Sequence, residues 1–161
     1  MNYCFEYFTR IADILQKIPE LDIKVLQFGG IELIPLFINT ISENLNLVIL
    51  KPTRIEVSQM DTQGKSEKHL VRWQMLFITK FTGADDLKRC LDYGERIYRA
   101  LHKNPELERL SLSNNGALKS FRFEIKEINT ENDAVWFARS LLLDTTGILI
   151  EFETECLYQK I

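Results

Sequence analysis

Three glutamates near the C-terminus, Glu151, Glu153 and Glu155, are the residues of this chain whose type and spacing are best suited to chemistry. Residues two apart on a strand share one face and lie about 7 Å from one another. Paired carboxylates can transfer protons or hold a hard cation, but a straight row does not converge on one point. We therefore expect this acidic row either to form ion pairs across a sheet or to make an electrostatic docking face. The basic residues in comparable outward positions are Arg72, Arg122 and Lys126.

The histidines and cysteines predict no catalytic or metal site. His69 and His102 stand alone at the ends of predicted elements, whereas metal sites usually draw on clustered ligands. Cys4, Cys90 and Cys156 are far apart and odd in number, which indicates free thiols in a reducing cytosol. A Gly-x-Ser-x-Gly elbow for a serine nucleophile does not occur. We predict no catalytic residue, no metal ligand and no cofactor.

Bulk composition places the chain among ordinary globular proteins. The net charge is −3, the hydrophobic content is 45% and the charged content is 27%, so no basic field recruits nucleic acid. No apolar run approaches the ~18 residues of a membrane span, and the N-terminus lacks the pattern of a signal peptide. We expect a single cytoplasmic α+β domain over residues 1–161.

The stretch 70–105 predicts a central strand followed by a long helix. Apolar and polar residues alternate over 70–81, which is typical of a half-buried strand, and Leu76 and Ile78 indicate that its second face is partly covered too. Thr82 is the expected N-cap of a helix over 84–104, with Asp85 three residues later. The residues expected to face the core are Val71, Trp73, Met75, Phe77 and Phe81 on one face of the strand, and Leu87, Cys90, Leu91, Gly94, Ile97, Tyr98 and Leu101 on the buried stripe of the helix.

Two further features of this helix follow from residue spacing. Acidic-to-basic pairs four residues apart (Asp85 with Arg89, Asp92 with Arg96, Glu95 with Arg99) should stabilise its outer side. Gly94 within the apolar stripe predicts a close approach of helix to sheet, since glycine otherwise costs about 1 kcal/mol in a helix interior.

The chain before this stretch predicts a helix over 2–18, a short strand over 22–28 and a strand over 46–59. Pro52 indicates a sheet edge, a bend or a bulge. Residues 31–44 are apolar nearly all round, and a short buried helix, an irregular segment and an assembly surface all stay open. After the long helix, residues 107–112 predict a short strand, 118–126 and 148–158 predict strands with regular alternation, and 135–143 is either a strand or a helix.

A polar loop over 60–68 joins the strands over 46–59 and 70–81 into a long hairpin. It is either a solvated turn or a projecting arm that contacts a neighbouring subunit. Hairpin connections dominate the whole string, so we predict a largely antiparallel sheet with the N-terminal and central helices packed on one face. The loop residues that such a contact would use are Asp61, Lys65, Glu67 and Lys68.

The order of these elements resembles that of phage tail terminator, or tail completion, proteins. The matching parts are the helix at 2–18, the hairpin at 46–81 with its polar loop, the helix at 84–104 and the final strands ending near Glu155. The likeness covers most of the chain as a pattern and includes no diagnostic motif, and the apolar segment 31–45 departs from it.

The resemblance implies a non-enzymatic structural protein of a phage or phage-like tail. Such a protein forms a ring, expected to be a hexamer, that caps the tail tube, stops its polymerisation and binds head-completion proteins in the virion. A closed ring needs head-to-tail contacts, for which the loop 60–68 and the acidic row are the expected surfaces. Two alternatives stay open: a small-molecule-binding or enzymatic domain with its site between the 84–104 helix and the sheet, and a dimeric interaction module joined through an edge strand.

Overall fold

A computed structural model describes residues 2–27, 46–80, 83, 85–112, 118–129 and 145–159. Eight helices and strands lie within these residues. They are α1 (Cys4–Gln16), β1 (Ile23–Gln27), β2 (Asn46–Gln59), β3 (Ser66–Lys80), α2 (Asp86–Leu101), α3 (Pro105–Glu108), β4 (Leu118–Asn129) and β5 (Thr145–Gln159).

The five strands form one sheet in the order β1-β2-β3-β5-β4. The pair β1 and β2 is parallel, and the pairs β2 with β3, β3 with β5 and β4 with β5 are antiparallel. Strand β5, the last described strand in the sequence, thus lies inside the sheet between β3 and β4. The predicted mixture of helices with a mainly antiparallel sheet, headed by an N-terminal helix, is confirmed.

Helix α1 forms because its apolar residues recur every four positions. Tyr7, Ile11 and Leu15 are fully buried, and they seat the helix against the sheet, where the rings of Tyr7 and Trp73 meet edge to face at 5.8 Å. The helix covers Cys4–Gln16, slightly less than the range expected from the sequence.

The main core lies between the helices and one face of the sheet. Trp73 stacks on Phe152 with ring centroids 5.5 Å apart, and Phe152 stacks on Phe123 at 4.8 Å, so aromatic rings connect β3, β5 and β4. On the other face Leu76 and Ile78 are also buried, at 8% and 1% exposure. The predicted partial cover of that second face is therefore confirmed.

Helix α2 begins at Asp86, and the expected N-cap Thr82 lies outside the described residues. The Gly83 N–H donates to the Asp86 carboxylate at 2.9 Å, so Asp86, and not Asp85, reaches back over the first turn. Arg89 accordingly pairs with Asp86 at 2.8 Å. The other two expected pairs are present: Asp92 with Arg96 at 3.2 Å and Glu95 with Arg99 at 2.5 Å.

The buried side of α2 is narrower than the sequence predicts. Cys90, Gly94, Ile97 and Leu101 are buried, and a Cβ placed on Gly94 would lie 2.7 Å from Ile148 Cδ1 on β5. The close approach expected at Gly94 is thus confirmed. The prediction was wrong for three members of the stripe, because the helix presents only one edge to the sheet: Leu87, Leu91 and Tyr98 are 58%, 49% and 37% exposed.

The segment after α2 is a helical turn where a strand over 107–112 was expected. Asn104 caps α3 by accepting a hydrogen bond from the Glu106 N–H at 2.9 Å, and Pro105 stands in its first turn, where a missing N–H costs nothing. Leu107 is fully buried beneath it. Strand-like pairing is limited to 110–112, where Ser111 forms an isolated bridge with Lys119 and the backbone groups of Leu110 and Leu112 bond to β4.

Two other expectations are resolved in β2 and β3. Strand β3 starts at Ser66, so the connecting loop covers 60–65 and the prediction of a loop to 68 was wrong: Glu67 and Lys68 are strand residues paired with β2 and β5. The β2 register shifts between Pro52 and Arg54, which is the bulge that Pro52 indicated. The ambiguous segments 31–44 and 135–143 lie outside the described residues.

Candidate interaction surfaces

The acidic row lies on β5, between β3 and β4, and two of its three glutamates contact one arginine of β4. Arg122 Nη2 lies 2.8 Å from Glu155 Oε1 and 3.3 Å from Glu153 Oε2, and its Nη1 lies 3.1 Å from Glu124 Oε2. Arg122 is paired with Glu155 in the sheet register, so the strand order brings the guanidinium to the row. One cation therefore serves three carboxylates on a face that is only partly exposed.

The remaining pairs extend this network over the sheet. Glu153 also accepts Arg72 from β3 at 3.5 Å, and Lys126 from β4 lies 3.1 Å from Glu124. The hydrogen bond from Lys126 keeps the pKa of Glu124 below its usual value. Glu151 accepts a hydrogen bond from the Gln74 amide at 3.2 Å. Of the two expectations for the acidic row, ion pairs across the sheet are what the structure shows, while docking of a partner stays a prediction.

The loop residues expected to make contacts do not share one surface with each other. The Lys65 N–H donates to Asp61 Oδ1 at 2.8 Å, which closes the hairpin turn and lowers the pKa of Asp61. Lys68 faces the acidic row, with its Nζ 3.9 Å from Glu155. Glu67 points to the opposite, helix-bearing face, where its carboxylate contacts His69 at 3.1 Å. Only Lys68 and the acidic row are therefore brought together.

A network of buried and partly buried polar side chains ties the N-terminal helix to the sheet. The Tyr3 hydroxyl lies 2.9 Å from His69 Nδ1, and His69 Nε2 contacts Glu67. Tyr3 and His69 are 8% and 7% exposed, so this network is suited to holding α1 on β3 rather than to binding a substrate. Sequence reasoning missed it because Tyr3 and His69 are 66 residues apart and only the packing of α1 against the sheet brings them together.

The cysteine thiols are also buried. The Tyr7 hydroxyl donates to Cys156 Sγ at 3.8 Å, and burial raises the pKa of Cys156 to about 12 and that of Cys4 to about 11. A thiol that stays protonated is a poor nucleophile. The three cysteines are free and buried, as a set of inert structural thiols would be.

Helix α2 carries an exposed apolar stripe formed by Leu87, Leu91 and Tyr98. Positions four and seven residues apart fall on one helix face, so these side chains lie along one line on the surface. Exposed apolar residues that form a continuous patch mark contact sites more often than scattered ones do. The ion pairs of Asp92 with Arg96 and Glu95 with Arg99 occupy the same helix, which gives the stripe a charged border.

Strand β2 has an open edge beside a small apolar cavity. Its partner β1 pairs with 46–50 only, and among the described residues no strand lies beside 53–59 on that side. The cavity, of about 180 Å³, lies between α1 and β2 and is lined by Phe5, Phe8, Leu50 and Ile55, among others. Phe5 is 50% exposed.

The charged face holds a cleft of about 330 Å³ lined in part by Arg54, Arg72, Lys126, Glu151 and Glu153. Its cations already contact the acidic row or its neighbours, since Arg72 and Lys126 both reach Glu153. The cleft is thus a gap within the ion-pair network, where opposite charges balance each other.

Neither a metal site nor a membrane-spanning helix is present in the described part of the chain. Those residues contain no group of three or more His, Cys, Asp or Glu side chains placed to bind a metal ion. Their helices are also too short or too polar to cross a lipid bilayer. Comparison of the sequence with models of known protein families finds no match, and the same is true of its comparison with curated proteins.

Proposed function

We propose that this protein is a non-enzymatic assembly protein of a phage or phage-like tail, which forms a ring that caps the tail tube and joins it to the head connector. The observation that carries the assembly role is the apolar stripe of α2. Leu87, Leu91 and Tyr98 lie on one helix face with 58%, 49% and 37% exposure. Burying the exposed half of each leucine side chain against a partner contributes about 1 kcal/mol, and nothing in this chemistry calls for catalysis.

The narrower assignment to a tail terminator is supported by the order of elements. An N-terminal helix, a hairpin of two long strands, a helix of 16 residues and closing strands are the parts on which the resemblance rests. Helix α2 packs on the sheet face that α1 also covers. A ring of identical subunits needs two different complementary surfaces on each subunit. The stripe of α2 supplies an apolar one, and the charged face with Lys68 and the acidic row is the proposed surface for tube and head-completion proteins.

The double variant Leu87→Gln with Leu91→Gln tests the ring. Both side chains are exposed and glutamine is a good helix former, so the fold should be retained while the apolar contact is lost. Wild-type protein should show rings by electron microscopy and a concentration-dependent mass by analytical ultracentrifugation, alone or with a phage tail-tube protein. The double variant should stay a small species under the same conditions.

Lys88→Gln is the matched control, because Lys88 is exposed on the same helix but outside the stripe. It should form rings as the wild-type protein does. A wild-type protein that never exceeds a dimer, with or without a tube protein, overturns the ring. Rings that persist in the double variant would instead remove the α2 stripe from the contact.

A further inference from the structure

The two sides of the sheet, β4 on one and the part of β2 beyond β1 on the other, are protected to different extents. On β4, the Ser120 N–H donates to the Leu110 carbonyl at 2.8 Å, and the Leu118 carbonyl accepts the Leu112 N–H at 2.8 Å. Further along, the Ile125 N–H donates to His102 Nδ1 at 3.1 Å. Proteins cover sheet edges in this way because open backbone groups invite pairing with another chain.

Residues 53–59 of β2 are left open by comparison, in the part of the chain that the structure describes. Apolar side chains stand beside this open edge: Val57 is 49% exposed, and Ile55 and Phe5 line the cavity next to α1. Charged residues and bulges often protect an edge that is meant to stay single. Here the bulge lies between Pro52 and Arg54, at one end of the open edge, and residues 54–59 keep a regular register with β3.

We propose that this edge pairs with the same edge of a second copy of the chain, as an antiparallel two-fold contact centred on Ile55. Opposite residues in such a pair have numbers that sum to the same value. With Ile55 facing its own copy, Arg54 faces Glu56 of the second copy, and Glu56 faces its Arg54. Two cross-strand pairs of opposite charge therefore form on the face away from α1, while Ile55 side chains meet on the apolar face.

The charges select this register over its neighbours. A contact centred on Arg54 places Arg54 opposite Arg54 of the second copy. A contact centred on Glu56 places Glu56 opposite Glu56 of the second copy. Like charges directly opposite one another destabilise a strand pair. Arg54 is 63% exposed and Glu56 38%, so both side chains are accessible to a second copy. They form an ion pair at 2.8 Å within one strand, and Arg72 lies 4.0 Å from Glu56, so the contact adds an opposite charge to each.

Charge reversal at these two positions gives a decisive test. In a dimer of Arg54→Glu, position 54 of each copy is a glutamate that faces Glu56 of the other copy, so both cross-strand pairs repel. In a dimer of Glu56→Arg, both pairs consist of two arginines and repel in the same way. Each single variant should raise the dimer dissociation constant about tenfold or more. The variant carrying both changes should dimerise as the wild-type protein does. An equimolar mixture of the two single variants should form a mixed dimer, because each then faces opposite charges.

Analytical ultracentrifugation of the full chain measures the wild-type protein, the two single variants, the double variant and the mixture, and circular dichroism checks that each is folded. Lys119→Glu, a charge reversal on the covered β4 edge, is the control and should leave the dimer unchanged. Failure of the mixture to associate, or a wild-type mass that Arg54→Glu does not change, overturns the proposal. The contact is independent of the proposed ring. The variant at Leu87 and Leu91 should lose the ring and keep the dimer, whereas Arg54→Glu should lose the dimer and keep the ring.

Discussion

At the scale of single residues, Arg122 is the side chain on which the charged face depends. Its guanidinium contacts Glu153, Glu155 and Glu124 within 3.3 Å, and its side chain is 32% exposed. A group that is partly screened by solvent is worth less than a buried ion, but the removal of Arg122 takes away the shortest ion pair of Glu155 and leaves that carboxylate with Lys68 at 3.9 Å. The loss should therefore exceed that of an ordinary surface pair.

We expect Arg122→Gln to lower the free energy of unfolding by about 1–2 kcal/mol, and added salt should reduce this difference by screening the carboxylates. Urea unfolding at low and high salt measures both effects. Arg99→Gln is the matched control: it removes an exposed helical pair and should cost less than about 0.5 kcal/mol. Equal losses in the two variants would contradict the special role of Arg122.

The buried thiol Cys156 predicts a loss of stability in alkali. Burial raises the pKa of Cys156 from 9.0 to about 12, so the unfolded chain releases this proton at lower pH than the folded chain does. Below about pH 9 the thiol is neutral in both states and its contribution does not change. As pH rises from there toward about 12, the unfolded state binds fewer protons and the free energy of unfolding falls.

The variant Cys156→Ala isolates this contribution. Between about pH 8 and about pH 10, urea unfolding should show a smaller decrease of stability for the variant than for the wild-type protein, by up to ~1 kcal/mol for each pH unit above 9. Part of the decrease should remain, because burial also raises the pKa of Cys4 and Tyr7. Identical pH dependence of the two proteins would show that Cys156 ionises equally in both states.

At the scale of elements, two glycines mark where backbone or helix comes close to a neighbour. A Cβ on Gly147 would strike the Phe77 carbonyl oxygen of the adjacent strand β3, whereas one on Gly94 would meet only the end of the Ile148 side chain. A strand backbone cannot move without disturbing its ladder, while a terminal methyl group can rotate away.

Gly147→Ala should therefore lower the free energy of unfolding by about 2 kcal/mol. Gly94→Ala should stay within about 1 kcal/mol of the wild-type protein, because the gain in helix propensity offsets the displaced methyl group. Thermal or urea unfolding of the two variants side by side measures the difference. A larger loss for Gly94→Ala would show that the core around Ile148 is more rigid than the sheet backbone.

Elements were predicted from the sequence where local patterns decide them. The alternation through Trp73 and the four-residue spacing of Tyr7, Ile11 and Leu15 predicted β3 and α1, because side chains follow the period of the backbone. The turn after α2 was predicted wrongly as a strand. There Asn104 and Pro105 act as a cap and a first-turn residue, and this local signal overrides the spacing of the leucines.

At the scale of the whole molecule, the two proposed contacts lie on different parts of the surface. The apolar stripe belongs to α2, which covers the sheet, and the open edge belongs to β2. A subunit with one head-to-tail contact and one two-fold contact can form closed assemblies of higher symmetry. Measurement of mass in the charge-reversal and leucine variants separates the two contacts.

The sequence by itself determined the class of fold, the strands with one apolar face and the close approach at Gly94, because these follow from residue type and period. It also placed Glu151, Glu153 and Glu155 on one face. Only the tertiary structure decided that Arg122 serves that acidic row, since the pairing of β4 with β5 joins residues far apart in the chain. Exposure was likewise decided there: whether Leu87 or Leu91 meets the sheet depends on how α2 is rotated against it, which its own sequence does not specify.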